Sequence, residues 1–170
     1  LLYIQHAMKS SSYRNTWSTL RVDVAKACEE LNIDVRPLGL SEWEDIEAKI
    51  QETFCHQKEY KSKPVWLWNA LKVDAYSVFK EQPIEVLENL VEAKNNVYLI
   101  LDETINETTK HWYYEGDIHS IYKLLSIENK VFVNEICLVS KKYDWLLCIN
   151  HHSCLIAAGK SMIQKLEALT

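Results

Sequence analysis

The segment Cys148-Ile-Asn-His151-His152-Ser-Cys154 puts two thiols and two imidazoles in one short stretch, the donors that a tetrahedral zinc site uses. Its spacing argues against a metal. If His151 and His152 form the turn of a hairpin, Ile149 lies across from Cys154. Side-chain alternation then sends Cys148 and Cys154 to opposite faces of the sheet. Zinc ligands also usually come as two separated pairs, and no C-x2-C pair occurs in the chain. The segment therefore reads as a turn with exposed histidines, and no metal or other cofactor is expected.

A thiol nucleophile would pair Cys148 or Cys154 with His111 or His119. Catalytic thiols need access and a lowered pKa, whereas both cysteines lie in apolar runs. There is no G-x-S-x-G elbow. Gly159-Lys160-Ser161 matches the end of a phosphate-binding loop, but Cys154 stands where that motif needs its first glycine. Asp102 and Glu103, with Glu107, Glu115 and Asp117, could gather at one sheet end, an arrangement suited to acid–base work or Mg2+. Acids in loops are more often simply solvated. Trp112 and Tyr114 share one face of a strand and Tyr113 takes the other; core packing is the commoner role for such residues, and the alternative is that one side offers exposed aromatic anchors for a partner.

The elements that would position these groups follow from periodicity. Trp17, Leu20, Val24, Cys28 and Leu31 predict a helix over 13–31. Residues 33–38 are β-branched and lead to an edge or loop at Pro37 and Gly39. Ser41, with Glu44 as its capping-box partner, opens a second helix that buries Trp43, Ile46, Ile50 and Phe54 and turns Glu42, Asp45, Lys49 and Glu52 outward. Residues 57–63 read as a loop. The stretch 66–79 reads as a short extended piece followed by a helical turn, and Pro83 starts a helix reaching about Ala93. Val97 to Leu101 is a strand with Trp112 to Tyr114 as partner, and Asp117 caps a helix over 118–125. From Val131 to Gly159, three apolar runs separated by KKYD and NHHS predict an antiparallel meander. Its middle run, 145–149, is apolar throughout, which requires cover on both faces. Ser161 caps a terminal helix. These elements predict a single α+β domain over 1–170, an antiparallel sheet with helices packed on it.

With 170 residues, 48% of them hydrophobic, the chain can build one sizeable core. Nineteen Lys and Arg are scattered against 24 Asp and Glu, a net charge of -5. Nucleic acid, which needs clustered cations, is not an expected partner. A modest negative charge more often serves solubility alone; as a recognition surface it suits a basic protein partner. The five cysteines show no framework spacing and read as reduced and cytoplasmic. Neither a secretory leader nor a membrane segment is expected. Residues 1–10 read as a tail, with Met8 a candidate natural start.

The string from Glu135 to Gly159 resembles a small bacterial family of unknown function. Asp144, Trp145, Asn150, His151, His152 and Gly159 carry the likeness, which extends more weakly over VYLILDE and KHWYYEGD. Cys148 and Ser153 depart from it, where an acidic or charged residue is expected. In outline the chain is similar to small α+β immunity proteins of bacterial toxin systems. The preferred expectation is a non-catalytic protein-binding module, an immunity protein or antitoxin that masks a basic partner. Its acidic surface would be Glu42, Asp45 and Glu52, and its binding residues Trp112, Tyr114, Asp144, Asn150, His151 and His152. The alternative is a small hydrolase or metal-dependent enzyme built on Asn150, His151 and His152 with Asp102 or Glu103 as helper.

Overall fold

A computed structural model describes residues 20–56, 66–102, 111–127 and 135–170. In chain order these form helix α1 (20–31), strand β1 (Val35–Pro37), helix α2 (Leu40–Phe54), a 3-10 turn at Leu67–Asn69 and strand β2 (Ala75–Phe79). A second 3-10 turn, Pro83–Val86, runs into the short helix α3 (Leu87–Leu90). Then come β3 (Asn96–Asp102), β4 (His111–Asp117), α4 (Ile118–Leu125), β5 (Ile136–Ser140), β6 (Leu146–Ile149), β7 (Cys154–Ala158) and α5 (Lys160–Glu167). The strands make one seven-stranded sheet in the order β1-β4-β3-β5-β6-β7-β2, antiparallel at every pairing. The chain is an α+β domain whose C-terminal meander is β5, β6 and β7.

Every residue of β5 and β6 is buried, the consequence of apolar runs lying mid-sheet between two layers. On one face, Leu99, Leu138, Leu147 and Leu155 pack with Leu20 and Val24 of α1, Leu87 and Leu90 of α3, Ile121 and Leu124 of α4, and Met162 and Leu166 of α5. On the other, Ile100, Tyr113, Val139, Leu146 and Ile156 pack under Ile50 and Phe54 of α2 and under Leu67. The sheet is therefore sandwiched, with the cover on both faces that the apolar run 145–149 requires. Within the second layer the Tyr113 hydroxyl donates to the buried Glu47 carboxylate at 3.1 Å. Burial, and then the adjacent Glu47 charge, push that phenol well above its usual pKa.

Local chemistry moves several expected boundaries. Helix α2 is capped two residues earlier than Ser41, by Gly39, whose N–H donates to Glu42 Oε2 at 2.8 Å. The stretch 66–79 runs in the opposite order to expectation, helical turn first and strand second, because Ala75–Phe79 finds the outer side of β7 to pair with. The helix from Pro83 stops at Leu90, where Val91 is extended and buried. Gly159, not Ser161, precedes α5, at a φ of 92° that favours glycine. Asp117 caps α4 as expected, its Oδ1 accepting the Ser120 N–H at 2.9 Å. The residues named in 1–19, the loop over 57–63, and Glu103, Glu107 and 131–134 lie outside the described residues. Among the described residues no helix is long and apolar enough to cross a membrane.

Candidate functional site

One end of the sheet gathers the polar groups. Asp102 and His111 are register partners where β3 and β4 meet. Glu135 lies just before β5 and its carbonyl accepts the Asp102 N–H at 3.3 Å. His151 belongs to the turn joining β6 to β7, and the 3-10 turn brings Trp66 and Trp68 over this end. The Glu135 side chain is only 6% exposed, and its two oxygens have different partners. Oε1 takes His151 Nδ1 and, at 3.4 Å, the His151 N–H; Oε2 accepts the Trp68 indole N–H at 2.8 Å. A buried carboxylate needs such donors to offset its lost hydration. The rings continue outward: Trp66 stacks on Trp68 at 5.7 Å and lies 5.7 Å from His151, whose ring centre is 3.9 Å from that of His152.

Beneath Trp66 and Trp68, Asp102, His111 and Glu135 line a cavity of about 10 Å3, room for roughly one water. A carboxylate fixing one imidazole nitrogen is the orienting half of an acid–base pair, since it sets the tautomer and stabilises the imidazolium. Glu135, Trp66 and Trp68 were not singled out by residue type. The signal available was register: with Ile136 opposite Ile149, the acid that precedes β5 must fall opposite the turn that follows β6.

The other expected site residues serve the scaffold or the surface. Asn150 is 7% exposed, and its Oδ1 accepts the N–H groups of His152 and Cys154, both at 3.0 Å, which closes the β6–β7 turn. Asp144 bonds the Ser140 hydroxyl and its own N–H donates back to that oxygen at 3.0 Å, closing the β5–β6 turn. Tyr114 is 2% exposed and Tyr113 5%, so neither face of β4 offers an open tyrosine. Trp112 is half-buried with the Arg21 guanidinium 5.0 Å from its ring. His152 is exposed. Among the described residues the carboxylates do not converge: Asp102 is at one end of the β3–β4 pair and Asp117 at the other, while Glu115 bonds Arg36 and Lys141.

The expected placement of Cys148 and Cys154 on opposite faces is overturned by the register. Ile149 pairs with Leu155, so the turn is one residue longer than assumed and Cys148 and Cys154 share a face. The expectation of five reduced thiols is also corrected. Cys137 and Cys148 are directly opposed on β5 and β6, 4.2 Å apart at Cα, and form a disulfide. Of the remaining thiols, burial pushes Cys28 up and Cys55 up to about 11, the reverse of what a nucleophile needs. Among the described residues no three His, Cys, Asp or Glu side chains are grouped to hold a metal ion.

The outer face of α2 is acidic. Glu42, Glu44, Asp45 and Glu52 are exposed there with Lys49. Glu42 bonds Arg36 and the Gly39 N–H, which hold its carboxyl below the usual range, and Lys49 reaches Glu52 at 3.3 Å. Glu44 and Asp45 have no cation among the described residues.

No curated protein and no solved structure matches the chain. A family described as "Family of unknown function (DUF6756)" matches residues 16–170. The chain therefore belongs to this family of unknown function, DUF6756.

Proposed function

We propose that this domain is a non-catalytic protein-binding module that masks a basic partner, in the manner of an immunity protein or antitoxin. The observation that carries this reading is the outer face of α2, where Glu44 and Asp45 stand exposed and without a compensating cation among the described residues. Unneutralised surface charge raises encounter rates with an oppositely charged protein and disfavours like-charged ones. In the test, the partner captured from the native host is purified and its association rate measured against wild type and Glu44→Lys/Asp45→Lys. A basic partner whose association slows at least about tenfold in the variant, and slows with added salt, supports the proposal. An acidic partner, or an unchanged rate, removes it.

A second reading rests on the pairing of His151 with Glu135. A carboxylate-oriented imidazole, with Asp102 and His111 across a one-water space, could act as a general base on that water. Replacing His151 and His152 together by alanine should then abolish hydrolysis of a screened substrate while leaving the circular dichroism spectrum unchanged. Retained turnover eliminates this reading.

A further inference from the structure

We propose that the outer edge of β2 pairs with β2 of a second copy of this chain across a two-fold axis at Ser77. Among the described residues β2 is hydrogen-bonded on one side only, to β7. It carries no proline and no charged residue, the devices by which proteins usually blunt an open edge. The opposite edge, β1, has only three residues and contains both Arg36 and Pro37.

The backbone phase fits self-pairing. Lys80 N–H donates to Ser153 at 3.1 Å, so alternation directs the polar backbone groups of Tyr76, Val78 and Lys80 at β7 and those of Ala75, Ser77 and Phe79 outward. An antiparallel copy centred on Ser77 sets Ala75 against Phe79, Ser77 against Ser77 and Phe79 against Ala75, closing about six backbone hydrogen bonds. Side chains fit the same register. Phe79 is 65% exposed, the most exposed large apolar side chain described. On the same face as Ala75, Ser77 and Phe79, an open groove of about 320 Å3 is lined by Trp68, Ala75, Ser77, Cys154 and Ile156. Phe79 of the second copy, lying across from Ala75, would cover that groove, and the two-fold repeats the contact. The ends are complementary in charge as well. This register brings exposed Asp74 opposite Lys80, whose ammonium otherwise meets the Leu169 carbonyl at 2.9 Å.

Sedimentation equilibrium on the full chain tests the proposal, using wild type, Phe79→Ser and Ser77→Lys, with circular dichroism confirming that each variant is folded. Ser77→Lys sets like charges face to face at the axis without touching the ladder to β7. A wild-type dimer whose dissociation constant rises about a hundredfold in Ser77→Lys and at least about tenfold in Phe79→Ser is expected. A wild-type protein monomeric at millimolar concentration, or a dimer indifferent to both substitutions, overturns it. Retained binding of the basic partner by Ser77→Lys separates this interface from the acidic face of α2.

Discussion

The Glu135 carboxylate grips His151 across the ends of β5 and β6, while its second oxygen holds the Trp68 indole at 2.8 Å. One buried acid thus ties the start of one strand, the turn after the next and the 3-10 turn above them.

Removing that acid should therefore loosen three segments together. Glu135→Ala leaves a part-buried indole N–H and an imidazole without their acceptor, a cost of about 1 kcal/mol. Glu135→Gln, which keeps one acceptor oxygen, should lose less. Urea denaturation measures both; an alanine variant as stable as wild type would show that Glu135 holds nothing in place.

Gly159 is expected to tolerate no side chain. Its φ is 92°, and a Cβ built there comes 2.3 Å from the Asp144 carbonyl oxygen and 2.8 Å from the Trp145 Cα. Both are backbone atoms that cannot swing aside, so Gly159→Ala should cost roughly 2–4 kcal/mol. A loss below about 0.5 kcal/mol, within the usual range of surface substitutions, would show that the β7–α5 junction relaxes freely.

Reduction is expected to destabilise the meander. The Cys137–Cys148 bond closes the β5–β6 hairpin, and a loop of this length gives about 3 kcal/mol by chain entropy. Thermal melts with and without reductant, alongside alkylation and intact mass, check it. Free-thiol labelling at Cys137 and Cys148 in untreated folded protein would contradict the bond.

Stability should fall in acid, and Asp117 should account for part of the slope. Partial burial tends to raise its pKa, but the N–H and hydroxyl of Ser120 outweigh that and hold it below the usual carboxylate range. Desolvation likewise tends to raise Glu115, but Lys141 and Arg36 together outweigh it and hold the carboxyl below its usual range. A pKa lowered in the folded state means that the unfolded chain binds more protons. The contribution is complete above the unfolded value, roughly pH 4, and is lost as pH drops through the folded one. Asp117→Ala should cost about 1 kcal/mol at neutral pH as a lost cap and flatten the acid limb of the stability profile. An unchanged acid limb would remove Asp117 from the account.

The parts of the fold legible from residues alone are those where one local rule decides. Asp117 at the head of α4 and the wholly apolar run inside β6 are of this kind. The misreadings arise where distant pairing outweighs local preference. Ala75–Phe79 is a strand because β7 offers it an edge. The β6–β7 turn gained a residue because Asn150 accepts two backbone N–H groups across it, with Ser153 at a φ of 58°. At the candidate site His151 was visible as a residue type. Its partner Glu135 was hidden, since sixteen positions and a register separate them.

The strand order has a consequence for biosynthesis. β1 and β2 leave the ribosome first, yet each ends up on a rim of the sheet, against β4 and β7 respectively. β1 has no template until β4 has been translated and β2 none until β7, so β2 must wait unpaired while every other described strand is made. Amides of residues 75–79 in stalled nascent chains should accordingly become protected only once residues 154–158 have emerged, and the waiting interval is when a chaperone would find this chain most exposed.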